Sequence, residues 1–165
     1  MIFSRSSRYA IQALVFLANS KVGSYVMCRE MAGELGLPLP YLSKLMLQFV
    51  HANIIESARG RRGGFRLIRS AEDLSLKEVM EVIGGERSMK ECLLGFKECS
   101  DETACAMHCH WYPVKQVLYK LLEEQSVGTL AEAVNRGHYK LSDLNLDLLL
   151  PPQQQAQLSK KRDGL

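Results

Sequence analysis

Apolar residues recur every three or four positions through the first fifty residues, which is the spacing of one face of an α-helix. The pattern predicts a helix from Ser4 to Ser20, a second from Met27 to Leu35, and a third that Pro40 opens and that continues to about Ala52. Two helices joined by a short turn are typical of a helix-turn-helix, whose second helix enters the major groove of DNA. The polar face of the third helix, which we expect to meet the bases, carries Tyr41, Ser43, Lys44 and Gln48.

The pattern then changes from helical spacing to alternation. Residues 54–58 read as one strand and residues 65–68 as a second, and the Gly-rich turn between them carries Arg59, Arg61 and Arg62. An ordinary Gly-rich hairpin would have the same pattern, but three neighbouring arginines repel one another unless something negative meets them. Following a helix-turn-helix, the hairpin is expected to be a wing that contacts the DNA backbone or the minor groove.

Two further helices and a tail are predicted beyond the hairpin. A capping box that starts at Ser75 opens a fourth helix to about Ile83, and a second box that starts at Thr129 opens a short last helix. Between them, a long helix is expected from Trp111 or Tyr112 to Glu124. Its continuous apolar stripe is interpreted as a dimer seam rather than as packing within one subunit, and consists of Val114, Val117, Leu118, Leu121 and Leu122.

These elements together predict a mainly α fold with a small β-hairpin. A winged helix-turn-helix domain is expected over residues 1–84, and a cysteine-rich cluster-binding loop over residues 85–110. A dimerisation helix and a short C-terminal helix follow over residues 111–138. The Pro-, Gln- and Lys-rich residues 139–165 are expected to be a disordered tail.

The charge is distributed unevenly along the 165 residues. Residues 1–70 contain ten Lys or Arg and three Asp or Glu, a balance of +7, whereas residues 71–165 contain eleven and fifteen, a balance of −4. A basic first half suits a polyanion such as DNA, although a solvated surface would have the same charge. Arg8 lies near the start of the first helix, where the helix dipole disfavours cations. Neutralisation by an external anion and simple exposure to solvent would explain this position equally well.

Other classes of function have no support in the sequence. A phosphate-binding loop, a dinucleotide fingerprint and a zinc-protease motif are all missing, so we expect neither an enzyme nor a small-molecule substrate. The sequence contains neither a long apolar run nor an apolar export signal at its start, which favours a cytoplasmic protein without membrane contact.

Four of the five cysteines lie close together after the fourth helix. Cys92, Cys99, Cys105 and Cys109 are separated by six, five and three residues, and turn-favouring residues lie between them. In a reducing compartment such a cluster indicates metal ligands or redox groups more often than disulfides. The remaining cysteine, Cys28, is expected to be a small buried side chain.

Three stretches resemble the IscR/NsrR/RirA family of bacterial winged-helix regulators. They are Ser7–Ala10, the sequence GLPLPYLSKLMLQFVHANIIESARGRRGGFRL at residues 36–67, and the cysteine loop. The resemblance covers roughly residues 1–135. It implies a homodimer that represses transcription by binding palindromic promoter DNA. In many such regulators, an iron–sulfur cluster that senses iron, cluster, redox or nitric oxide status sets the affinity for DNA.

The same resemblance implies the cluster ligands. The three family cysteines fall on Cys92, Cys99 and Cys105, and the histidine ligand of the IscR branch falls on His108, with Cys109 as the second candidate. The first cysteine gap is one residue longer than in that branch, so both cluster types stay open, with [2Fe–2S] expected ahead of [4Fe–4S]. In the NsrR branch an acidic residue of the first helix is a ligand, and its position holds Arg8, which has no lone pair to give.

Two other functions stay open on the residues alone. Cys105 has the spacing of a zinc ligand pair with His108 or Cys109, whereas Cys92 and Cys99 are too far apart for one. The chain could therefore be a DNA-binding regulator with a structural zinc site. An electron-transfer or cluster-carrier protein, with the basic hairpin docking an acidic partner, is the other alternative.

Overall fold

The computed structural model describes residues 4–60, 63–84, 94, 102 and 104–137 of the chain. Within these ranges it contains six α-helices and one antiparallel hairpin, so the expected mainly α fold with a small hairpin is confirmed. No helix of the described residues is long and apolar enough to cross a membrane. The elements are α1 (Arg5–Ala18), α2 (Cys28–Leu35), α3 (Leu39–His51), β1 (Ile55–Ala58), β2 (Gly64–Leu67), a 3-10 turn (Ala71–Asp73), α4 (Leu76–Val82), α5 (His108–Glu124) and α6 (Val127–Asn135).

The helix ends follow local capping chemistry. The Ser4 hydroxyl accepts a hydrogen bond from the Ser7 amide at 3.1 Å and so caps α1. Helix α2 ends at Gly36, whose φ of 63° lies in the left-handed region that glycine adopts without strain. The Ser75 hydroxyl accepts from the Glu78 amide at 3.2 Å and caps α4 as predicted.

The hairpin is fastened to the segment that precedes the helix-turn-helix. Strands β1 and β2 pair with Glu56 opposite Arg66. On the other side of β2, Phe65 exchanges two backbone hydrogen bonds with Val26, at 2.8 and 2.9 Å. No local sequence pattern indicates this pairing, which ties the hairpin to the residues just before α2.

The core is assembled around α1. Ala10, Ala13, Leu14 and Val15 of this helix have no exposed surface, and α1 packs against α2, α3, α4, β2 and α6. At the surface, the Asn135 amide of α6 donates to the Asn19 side-chain oxygen at 2.7 Å. The last helix is therefore part of the same packed unit as the first.

Two predicted helix starts were wrong. Helix α5 begins at His108 rather than at Trp111, so His108 and Cys109 lie in its first turn. Helix α6 begins at Val127, because Ser126 rather than Thr129 is its cap; the Ser126 hydroxyl accepts from the Thr129 amide at 3.0 Å. Most of the predicted loop and the predicted tail, residues 139–165, lie outside the described residues.

Two burial expectations also differ from the structure. Leu122 is 1% exposed and belongs to the chain's own core, so it does not fit the predicted dimer seam, and Leu118 is half-buried because it packs against the same core. The stripe spans both faces of α5, and periodicity alone could not tell which protein surface covers each residue. Cys28 is half-buried rather than buried, because it lies in the first turn of α2.

Gly64→Ala is expected to destabilise the protein by about 2 kcal/mol or more. A methyl group there would lie 2.1 Å from the carbonyl oxygen of Val26, and the backbone φ is +148°. Gly33→Ala is the matched control, because its methyl group would have no neighbour within 4 Å among the described residues. Gly33 is an interior residue of α2, where alanine is favoured over glycine. Urea unfolding followed by circular dichroism measures both variants, and equal midpoints would contradict the Val26 contact.

Candidate functional site

Helix α3 has an inner face that is buried and an outer face that is exposed. Leu42, Met46 and Phe49 of the inner face have no exposed surface, and Leu45 is 4% exposed. Lys44 and Gln48, two of the four residues predicted to meet the bases, lie exposed on the outer face. Lysine recognises acceptors on guanine and glutamine recognises adenine, so these side chains are chemically suited to the major groove.

The other two predicted base contacts are engaged within the protein. The Tyr41 hydroxyl is hydrogen-bonded to the Ser6 hydroxyl of α1, and its ring meets that of Tyr9 edge-on at 5.7 Å. The hydroxyl oxygen of Ser43 lies 3.2 Å from the sulfur of Cys28 in α2. These contacts hold the start of α3 against α1 and α2, while Tyr41 remains 40% exposed.

One outward side chain of α3 was missed. Leu47 is an apolar residue, but its side chain is 48% exposed. Of its two neighbours in the chain, Met46 is buried and Gln48 is polar and exposed. Leu47 lies outside the i, i+3, i+4 series of the core residues, and that offset is the sequence signal that could have identified it.

Arg59 is the wing arginine that the structure describes, and it is exposed at the end of β1. Arg61 and Arg62 lie outside the described residues. At the start of α1, Arg8 is half-buried, and its Nε is a buried donor that meets no acceptor among the described residues. A guanidinium in need of acceptors close to the surface suits an external anion such as a phosphate.

Arg66 of β2 is neutralised within the protein. It donates from Nε to the Glu56 carboxylate on β1, donates from Nη1 to the carbonyl of Gly23 at 3.1 Å, and lies over the Tyr25 ring at 4.7 Å. The hydrogen bond from Arg66 holds the pKa of the Glu56 carboxyl below its usual range, so the pair stays ionised at neutral pH. This basic side chain therefore fastens the wing to residues 23–26.

Arg69, just after the wing, is engaged in the same way. Its Nη1 donates to a Glu78 carboxylate oxygen of α4 at 2.6 Å, and its Nη2 donates to the Asp73 carbonyl at 2.9 Å. The hydrogen bond to Glu78 raises the pKa of Arg69 above its ordinary value. Two of the ten basic residues of the first half thus hold the fold together.

Two of the candidate metal residues, Cys105 and His108, lie in one turn at the start of α5. The His108 amide donates to the Cys105 carbonyl at 2.9 Å, which places the two residues at the ends of one turn. His108 is 8% exposed and its ring stacks on Tyr112 at 5.2 Å, whereas Cys105 is half-buried and Cys109 exposed. Cys92 and Cys99 lie outside the described residues. Among those described, no group of three or more His, Cys, Asp or Glu is placed to hold a metal ion.

Helices α2 and α3 form a pair in which α3 has one buried face and one exposed face, and a basic hairpin follows them. This arrangement is typical of winged-helix DNA-binding proteins. The Rrf2 family model, described as an iron-dependent transcriptional regulator, matches residues 3–133. The chain therefore belongs to the Rrf2 family of transcriptional regulators, and it is a DNA-binding protein rather than an enzyme.

Named relatives and solved structures agree with this family. The chain is 26% identical over 130 residues to the HTH-type transcriptional regulator IscR of Vibrio atlanticus. The aligned residues cover 79% of this chain and 75% of that protein. The structure is similar to T. potens IscR, with a TM-score of 0.65 at 22% identity, over 84% of this chain and 91% of that one. It is also similar to CymR, the global cysteine regulator of B. subtilis, with a TM-score of 0.67 at 19% identity, over 79% and 95%.

Replacing Arg59 and Arg66 separately should separate a phosphate contact from an internal ion pair. Each change, Arg59→Ala or Arg66→Gln, removes one positive charge from the hairpin. Arg59→Ala is expected to lower the slope of log affinity against log salt by about one unit on a mixed-sequence duplex. Arg66→Gln is expected to leave that slope unchanged, because its charge is already neutralised by Glu56. A slope lowered equally by both would show that Arg66 contacts phosphate.

Proposed function

We propose that this regulator is a homodimeric repressor whose affinity for palindromic promoter DNA is set by an iron–sulfur cluster. Cys92, Cys99, Cys105 and His108 would hold the cluster. The observation that carries the proposal is the turn that brings Cys105 and His108 together at the start of α5. The family description as iron-dependent regulators supports the choice of metal. The proposed place of action is the cytoplasm.

The residues at this end of α5 fit such a cluster. Thiolates are the common cluster ligands and imidazole replaces them in some centres. His108 is turned inward beside Cys105 while Cys109 is exposed, which supports His108 as the fourth ligand. The indole N–H of Trp111, three residues after His108, is buried and meets no acceptor among the described residues. Cluster sulfur would be a suitable acceptor for that donor.

The proposed DNA surface combines α3, the wing and the start of α1. It consists of Arg8, Tyr41, Ser43, Lys44, Gln48, Arg59, Arg61 and Arg62. Lys44 and Gln48 would read bases from the exposed face of α3, while Tyr41 and Ser43 would help to place that helix as well as meet the DNA. The arginines would contact phosphates or the minor groove.

Backbone hydrogen bonds connect the helix that follows the cysteines to the proposed DNA-binding unit. At its far end, α5 is fixed to the segment before α4: the Leu76 amide donates to the Gln125 carbonyl at 2.9 Å, and the Val127 amide donates to the Leu74 carbonyl at 2.8 Å. Lys77 of α4 also pairs with Glu123 of α5 at 2.9 Å. A cluster that orders or releases the first turn of α5 would therefore act on a helix whose other end is joined to the DNA-binding unit.

The proposed dimer would form through the outward residues of α5. Val114, Val117 and Leu121 recur at positions i, i+3 and i+7, and they are 51%, 71% and 42% exposed. Such a stripe is the usual interface of a helix that pairs with a second copy. The seam would exclude Leu122, which lies in the chain's own core, and reach Leu118 only at its edge.

A structural zinc site is the second candidate, because Cys105 and His108 also have the spacing of a zinc ligand pair. In that case the metal would fix the start of α5 without sensing a signal. An electron-transfer or cluster-carrier role has weaker support, since the relatives with known names are transcriptional regulators.

Ligand replacements should distinguish these sites. In protein purified anaerobically, Cys105→Ser and His108→Ala are each expected to lose nearly all iron and the visible absorption of the cluster. The affinity of each variant for promoter DNA is expected to differ from that of the wild type. Cys109→Ser is the matched control in the same turn and should retain both the iron and the visible absorption. Loss of the spectrum in Cys109→Ser but not in His108→Ala would make Cys109 the ligand. A colourless wild type containing zinc would support the structural site instead.

A charge placed on the outward stripe should separate the dimer. Val117→Glu would bury a carboxylate in the seam at a cost of several kcal/mol, so sedimentation at micromolar concentration is expected to show a monomer. Gln116→Glu adds the same group to a neighbouring exposed position of α5 and should remain dimeric. A monomeric wild type, or a dimeric Val117→Glu variant with unchanged affinity between subunits, would contradict this interface.

A further inference from the structure

Leu47 lies at nearly the opposite side of α3 from the core. At about 100° per residue, it is roughly 150° around the helix from the centre of the buried face formed by Leu42, Leu45, Met46 and Phe49. It belongs neither to the buried core nor to the apolar residues that pack against the core in the described part of the chain. It is 48% exposed. Within the described part of the chain, this side chain thus has no packing role.

The surroundings of Leu47 are polar and exposed. Lys44 lies three residues before it and His51 four residues after it, so both flank it on the same face of the helix, and Gln48 follows it directly. An isolated exposed leucine on an ordinary surface needs no explanation. This one lies at the edge of the face that carries Lys44 and Gln48, the base-reading candidates.

The major groove offers one apolar group to such a side chain. The other three bases are recognised on that side chiefly through hydrogen-bond donors and acceptors, whereas thymine adds its C5-methyl group, the one apolar group there larger than a hydrogen. Lysine and glutamine are satisfied by base acceptors and donors, but a leucine can gain only by burying apolar surface. We propose that Leu47 is a specificity-determining residue that recognises the methyl group of a thymine in each half-site. This inference rests on the proposed role of α3 as the helix that enters the major groove.

The experiment removes the methyl group from the DNA and the leucine from the protein. The full-length wild-type protein, purified anaerobically, first selects its preferred duplexes from a random-sequence library. Each thymine of a selected duplex is then replaced singly by deoxyuridine, which lacks only the methyl group. Dissociation constants are measured for wild type and Leu47→Ala on every duplex, with Val22→Ala as the control that shortens an exposed apolar side chain outside α3.

At one thymine of each half-site, deoxyuridine is expected to weaken wild-type binding about fourfold, which corresponds to one buried methyl-sized group. Leu47→Ala removes the contact from both half-sites of the proposed dimer, so its binding to the thymine duplex should be weakened about sixteenfold, and it should show no further loss with deoxyuridine at that position. Such non-additivity is the sign of a direct contact. Val22→Ala should respond to deoxyuridine as the wild type does.

Other outcomes would overturn the inference and identify which part failed. Losses that simply add, or a Leu47→Ala variant that binds every duplex as the wild type does, would exclude the methyl contact. Lys44→Ala and Gln48→Ala, measured on the same duplexes, test the role of α3 separately. If they weaken binding while Leu47→Ala does not, α3 reads the DNA without Leu47. If none of the three changes binding, α3 is not the recognition helix.

Discussion

Helix α1 lies at the centre of the described part of the chain, and its alanines let the neighbouring elements approach closely. Ala10 and Ala13 have no exposed surface, and α3, strand β2, α4 and α6 all pack against α1. Close-packed interiors tolerate little displacement of one element without the others. Helix α3, the hairpin and α4, the helix just before the cysteine segment, therefore share one support, and their relative positions are determined together.

The basic charge of the first half is divided between two roles. Arg66 and Arg69 form ion pairs with carboxylates of β1 and α4, so their charge holds the hairpin and the following turn in place. Exposed cations such as Lys44 and Arg59 remain to attract a polyanion. Lys44 on the outer face of α3 and Arg59 after β1 are therefore two of the cations available to an external anion.

Local sequence patterns predicted most of the helices. They did not predict contacts between residues that are far apart in the chain. Ser4 and Ser75 cap helices through neighbouring amides, and such signals can be read within a few residues. The pairing of Val26 with Phe65 depends on tertiary structure, and so does the burial of Leu122. Periodicity shows which residues share a face but not what covers that face. At the predicted metal site, residue spacing identified Cys105 and His108 as a pair but did not predict that His108 begins α5.

The contacts at Leu74–Leu76 and Gln125–Val127 have an evolutionary consequence. They join the chain just before α4 and just after α5, so the cysteine segment lies inside a loop that is closed independently of its own length. The entropy of closing a loop grows only with the logarithm of its length, and one inserted residue costs a small fraction of a kcal/mol. The number of residues between the cysteines can therefore change between descendants of one ancestor while the DNA-binding unit keeps its fold.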